Sequence, residues 1–333
     1  MREENAAAYN SVLPPRANGP TPMSHILSTT APIFILIILG YVSVMTGLVS
    51  RETTRGMGLF VITIALPALI VSGMANKPLQ TSFDVDFLMA YALASAVLFT
   101  LGMLIYRRFR KASVAESSMA GLGMSSSNSG FIGVSICAMV LGTEPASRAV
   151  AMTIMVESML MIPLAVAIAD AGGKQAELRF VARLGITLKR LARSPLLIAI
   201  SAGLLLSGFE IPLPDVALRV VDMLALAAAP VALFAVGGNL HGLRPTGMLA
   251  DAGSISAGKL VLHPALTALA LLLFPGLDPT LRKAGLIFAA SPMLSIFPIL
   301  GMRYGLEDRC SATLLLCTGL SFFTISIVIA LIG

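Results

Sequence analysis

The stretch GLGMSSSNSGFIGVS fills residues 121–135, and its centre, SSSNSGFIG at 125–133, sets four serines, an asparagine and two glycines inside an otherwise apolar run. Around it the chain of 333 residues is 56% hydrophobic and 12% charged, with a mean hydropathy of +0.89. Soluble domains carry about 25% charged residues, so this composition reads as an integral membrane protein. A helix needs about 20 apolar residues to cross the hydrocarbon layer. Ten spans of that kind are expected, at 31–49, 56–75, 87–106, 117–142, 149–169, 195–209, 220–240, 253–274, 284–302 and 310–332. The quoted stretch lies in the middle of the fourth.

If the ten spans alternate, the loops after spans 1, 3, 5, 7 and 9 hold fifteen Lys and Arg, against seven on the other side, with Lys259 inside a span. The positive-inside rule makes the fifteen-residue side cytoplasmic and puts both termini outside, in a multi-pass protein of the cell (inner) membrane. The net charge of +6 then reflects topology, and the basic run at 171–193 reads as a cytoplasmic linker and excludes nucleic acid as a partner. Residues 1–30 form an extramembrane segment without the pattern of a cleaved signal peptide, and Met23 stands as an alternative start. Cys137, Cys310 and Cys317 fall in or beside apolar spans and read as packing residues; no spacing suggests a metal site or a cofactor.

One offset relates the two halves. Pro32 and Pro195 stand 163 residues apart, as do Gly40 and Gly203, Pro67 and Pro230, and Asn76 and Asn239. The shift lays spans 1–5 on spans 6–10, so 31–170 and 194–333 read as two five-helix repeats. An odd number of crossings makes the second repeat enter from the opposite side, the inverted arrangement of many secondary transporters.

The same shift places Asn128 over Ser291, Ser129 over Pro292 and Ser135 over Pro298. Pro292 and Pro298 remove backbone donors, and Gly130 and Gly133 ease departure from helical geometry, so both spans 4 and 9 are expected to break at mid-membrane. Unpaired backbone groups survive there only inside protein or along a wet cavity, where helix ends can hold an anion. Serines and glycines alone would also suit close helix packing, but an amide at that depth needs partners and favours a polar site at Asn128.

The segments NSGFIG at 128–133, ALPALIVSGMA, AAAPVALFAVGGNL and GKLVLHP, with the span-1 region from residue 31, resemble the auxin efflux carrier family, which includes bacterial malonate and malate permeases and the plant PIN carriers. The resemblance covers nearly all of the chain from residue 31. It implies the fold of the bile-acid sodium symporters: ten helices in two inverted repeats, with helices 4 and 9 broken and crossing. It further implies a scaffold from spans 1, 2, 6 and 7, a moving transport domain from spans 3–5 and 8–10, and an asparagine at the crossing, here Asn128, that holds a substrate carboxylate. Where family members often have proline, this chain has Ser135, which predicts a gentler first crossing.

Four acids and bases fall within spans, where an ionised side chain costs several kcal/mol to insert. Lys259 reads either as a countercharge to an anionic substrate or a built-in substitute for a coupling cation, or else as a partner of Glu157. Glu157 is the candidate for proton coupling, His263 reads as a hydrogen-bonded interior histidine, and Asp222 as an interface residue.

The sequence thus points to an all-α secondary transporter for small organic anions such as malonate, malate or auxin-like carboxylates, working by an elevator-type mechanism in the lipid bilayer. Its scaffold domain offers a surface for a homodimer. The expected substrate-binding set is Asn128, Ser127, Ser129, Gly130, Ser291, Pro292, Ser295 and Lys259, with Glu157 for coupling and no metal. A carrier-fold anion receptor without turnover is the alternative. An intramembrane enzyme finds no support in an H-E-x-x-H or G-x-S-x-G motif.

Overall fold

In hydrocarbon a backbone without water must bond to itself, and an apolar chain does so by forming helices. The computed structural model describes residues 22–75, 83–171, 193–242 and 249–332, with side chains from residue 31 in the first segment and from 250 in the last. Asn76, Lys77, Arg244 and nearly all of the 171–193 linker lie outside these residues. Among the described residues there is no strand.

The helices are α1 (Pro22–Met45), α2 (Arg51–Met74), α3 (Val85–Phe109), α4 (Val114–Ser125), α5 (Val134–Leu141), α6 (Thr143–Ala171), α7 (Pro195–Gly208), α8 (Asp215–Leu240), α9 (Ala250–Leu272), α10 (Pro279–Ala290), α11 (Phe297–Met302) and α12 (Glu307–Ile332). Among the described residues seven continuous stretches are long and apolar enough to cross a membrane: α2, α3, α4 through α5, α6, α8, α9 and α12. The apolar part of α1, Ala31–Met45, and α7 are shorter. The expected span at 284–302 appears instead as α10 and α11, separated by residues 291–296, where Pro292 cannot donate to a helical ladder, and Pro298 sits in the first turn of α11. The span expected from 149 begins at Thr143, because Gly142 turns the chain at φ 95° directly after α5.

Helix starts follow their capping residues. Ser50 accepts from Thr53 N, Asp84 from Phe87 N, and Ser113 and Glu116 form a reciprocal capping box at the start of α4.

Four π turns widen the ladder, at Val61–Ala65 in α2, Ser129–Gly133 before α5, Val156–Met161 in α6 and Gly258–Leu262 in α9. Three of them end two residues before a proline: Pro67, Pro163 and Pro264. A proline ring collides with the carbonyl four residues back, and widening the turn relieves that collision. The fourth ends two residues before Ser135, whose hydroxyl donates to Phe131 O, four residues back, and to Ala229 O at 3.3 Å. The π turn therefore forms at the first interruption without the proline. Proline alone does not impose it, since Pro32 and Pro230 sit inside regular α-helix.

Helices α1, α2, α7 and α8 pack on one another, with α1 and α8 in backbone contact: a Cβ at Gly237 would stand 1.8 Å from Ile37 O, and one at Gly40 2.0 Å from Phe234 O. Helices α3, α4, α9, α10 and α12 form a second set of neighbours. At one end of that set Arg309 ties three helices, bonding Asp251 of α9 at 2.6 Å and Glu116 of α4 at 3.2 Å. Helices α5 and α6 join the two sets, α6 packing on α2 and on α4 and α10, and α5 on α8 and α10; a Cβ at Gly73 would stand 1.5 Å from Ser147 Oγ.

Candidate functional site

The chain leaves helical geometry at residues 126–128, between α4 and the π turn at Ser129–Gly133. Ser126 is extended (φ −118°, ψ 141°) and Asn128 stands at φ −80°, ψ 60°. In an extended stretch successive side chains point to opposite sides, and here the alternation sorts the polar residues into two groups.

Ser127 and Ser129 face a buried polar network. Glu157 Oε1 accepts from Ser127 N at 3.0 Å and from Ser129 Oγ at 2.7 Å. Lys259 Nζ donates to Ser127 Oγ at 2.8 Å and to Ala289 O at 2.6 Å, and lies 2.7 Å from His263 Nδ1. Tyr91 hydroxyl is 2.9 Å from Ser127 Oγ, and Ser95 Oγ is 3.2 Å from His263 Nε2. Glu157, Lys259, His263, Ser95, Ser127 and Ser129 are all buried. An ammonium has three N–H groups, and all three of Lys259's are taken up by these acceptors. Lys259 and Glu157 make no direct ion pair; Ser127 stands between them, its hydroxyl on the lysine and its amide on the carboxylate. The partner reading of Lys259 is thus met through a serine.

Asn128 faces the other way, toward the second interruption. Its backbone N donates to Pro292 O at 2.7 Å and its Nδ2 to Ser295 Oγ at 2.7 Å, while its own carbonyl accepts from Gly133 N at 2.9 Å. Pro292 therefore contributes an acceptor at the point where its missing N–H leaves the helix open. Ser126, two residues before Asn128, has a buried hydroxyl with no partner among the described residues. Ser291 turns back on its own helix, donating to Ile287 O at 2.9 Å, and Gly130 packs against Leu66. Neither contributes a polar side-chain group to this side.

The expected residues thus divide: Asn128, Pro292 and Ser295 come together, Ser127, Ser129, Lys259 and Glu157 form the network behind them, and Ser291 and Gly130 serve packing. Tyr91 and Ser95 were missed. They stand four apart on one face of α3 and both meet His263 of α9, which is the signal their spacing carried. Equally unread were the π turns that carry Ser129, Glu157 and Lys259; the prolines two residues beyond the second and third were the available sign. Asp222 is partly buried and accepts from Ser72 Oγ.

A cavity of about 310 Å³ lies between α1, α2, α5 and α8, lined by apolar residues including Leu36, Leu69, Val134, Ala138 and Leu233.

A sequence profile described as "Membrane transport protein" matches residues 25–329. A "Putative malonate transporter" of Rhizobium meliloti (strain 1021) is 34% identical over 308 residues, 91% of this chain and 95% of that protein. An "Uncharacterized transporter" of Methanothermobacter thermautotrophicus (strain ATCC 29096 / DSM 1053 / JCM 10044 / NBRC 100330 / Delta H) is 23% identical over 310 residues, 89% of this chain and 95% of that protein.

Proposed function

The chain belongs to the membrane transport protein family, and from that premise we propose that it is a secondary transporter moving small carboxylates, of malonate, malate or auxin type, by elevator-type alternating access. The chain is a transport protein and not an enzyme. The observation that carries the substrate class is the meeting of the two interruptions at Asn128: an amide, a free serine hydroxyl at Ser126 and helix ends converge on one side, backed by a buried ammonium. Amide and hydroxyl donors beside partial positive helix ends suit a carboxylate.

The repeat supports alternating access. Adding the 163-residue offset to the starts of α1 (from its apolar part at Ala31), α2, α4, α5 and α6 gives positions within two residues of the starts of α7, α8, α10, α11 and α12. Ten crossings in two inverted halves follow, with spans 4 and 9 broken and crossing. The two packing sets then act as scaffold (α1, α2, α7, α8) and transport domain (the remainder), with both termini outside and a homodimer forming through the scaffold.

In this reading Asn128, Ser126 and Ser295 bind the carboxylate. Lys259, with its donors already used, holds residues 127–129 in place behind the binding side. Uptake of labelled malonate by proteoliposomes is the test. Saturable accumulation or exchange supports the carrier; binding without flux would make the protein an anion receptor and overturn the reading. Topology has its own test: cysteines placed near residue 5 and in 174–193, probed with an impermeant reagent on intact cells, should label only at residue 5, and labelling of the loop would overturn the inverted arrangement.

A further inference from the structure

The π turn at Gly258–Leu262 carries Lys259 and ends one residue before His263, and their Nζ and Nδ1 stand 2.7 Å apart. Two nitrogen bases in contact need one proton between them: two N–H groups face to face do not bond, and two adjacent cations out of water repel strongly. The pair is enclosed. Tyr91 from α3, Glu157 from α6 and Cys317 from α12 are the titratable groups that face it, and Glu157 reaches it only through Ser127.

Two protonation states satisfy every hydrogen bond in this geometry. In the charged state the Lys259 ammonium donates to Ser127 Oγ, Ala289 O and His263 Nδ1, and the neutral imidazole carries its proton on Nε2 and donates to Ser95 Oγ. In the uncharged state a proton has passed from Nζ to Nδ1, the Nε2 proton has passed to Ser95 Oγ, and the hydroxyl's original proton has left to water. The amine then keeps two N–H groups for Ser127 and Ala289 and accepts from Nδ1–H on its lone pair, while Ser95 donates to Nε2. Each hydrogen bond persists, donor and acceptor exchanged where needed. The net loss is one proton.

We infer that Lys259, His263 and Ser95 form a proton-binding site that loads one proton with each carboxylate carried, making the protein a proton symporter. This rests on the carboxylate-transport reading above. The charge already on Glu157 is balanced by Lys259 when the pair is loaded, so an empty pair leaves the transport domain with an excess negative charge that opposes a second anion, and loading removes it. His263 touches no substrate; its Nδ1 takes the proton that Lys259 Nζ gives up when the site empties.

The experiment uses wild-type protein and His263→Gln in sodium-free proteoliposomes with labelled malonate. Glutamine can accept from the Lys259 ammonium but cannot take its proton, so the site stays loaded. An inside-alkaline gradient should drive wild-type uptake transiently above its equilibrium level, and a protonophore should abolish the overshoot, whereas His263→Gln should take up malonate equally with and without the gradient. Active wild-type exchange that ignores the gradient would overturn the proton site and leave the transporter standing. Gradient-driven overshoot in His263→Gln would overturn the assignment to this pair. No wild-type flux of malonate or of other mono- and dicarboxylates would sink the transport reading itself, and this inference with it. If the variant does not fold, purified wild type in weak buffer decides: malonate addition should take up about one proton per molecule bound, read by an indicator dye, and release or no change would overturn the site.

Discussion

The contact between α1 and α8 and the contact between α9 and the chain at 126–129 are both deeply buried, yet they are built from opposite materials. At the first, Gly40 and Gly237 let backbone lie on backbone, and shape alone holds the helices. At the second, an ammonium, a carboxylate, an imidazole and several hydroxyls complete one another's hydrogen bonds. A shape contact tolerates no added atom, whereas a polar contact tolerates no missing partner. The first suits a static brace and the second a region that binds and moves charge.

The largest effect should come from breaking the polar contact at its cation. Lys259→Met leaves Glu157 ionised without its countercharge, and stability should fall by about 3–5 kcal/mol, read by thermal unfolding in detergent. Adding Glu157→Gln should restore stability without restoring malonate transport. A lone Lys259→Met variant with normal stability would show that the network does not hold the crossing.

On the substrate side, Asn128→Ala removes a donor proposed for the carboxylate. A hydrogen bond to a charged group contributes about 1.5–3 kcal/mol, so malonate affinity should fall about ten- to a hundredfold by titration calorimetry, with unfolding temperature near normal. Lower stability with unchanged affinity would make Asn128 a tie between the two interruptions only.

The shape contact should yield to one methyl group. Gly237→Ala puts a Cβ 1.8 Å from Ile37 O, where backbone cannot withdraw easily, and overpacking of this kind costs about 1–3 kcal/mol. Gly253→Ala, with open space around its Cβ position, should be neutral in the same assay. Smallest of all is Ser135→Pro. The π turn at Ser129–Gly133 already has the geometry found before Pro67, Pro163 and Pro264, so the change should alter stability by less than about 1 kcal/mol while losing the bond to Ala229 O. A larger loss would show that the hydroxyl, not the π turn, shapes the first crossing.

Much of this was legible beforehand. Apolar length gave the helices, and serine, glycine and proline marked both interruptions, since each residue acts on its own backbone. Ser135 carries its weight at the first interruption, which is the shorter of the two: residues 126–128 leave helical geometry there, against 291–296 at the second, and a π turn forms with the serine hydroxyl bonding the carbonyl four residues back. Tyr91 and Ser95 escaped notice because polar residues on an apolar span declare their importance only when another helix brings them a partner.

By itself, the sequence determined that the chain is helical, that it lives in a membrane and that it leaves helical geometry near residues 126–128 and 291–296. Those outcomes depend on solvent, composition and local backbone chemistry. Only the tertiary structure decided which side of the 126–129 stretch each residue faces and which charges meet. Lys259 reaches Ser127 across 132 positions of chain, and Glu157 reaches the same serine from another helix. Such meetings are set by how each helix is rotated against its neighbours, through small residues at the helix contacts and the π turns that carry Ser129, Glu157 and Lys259.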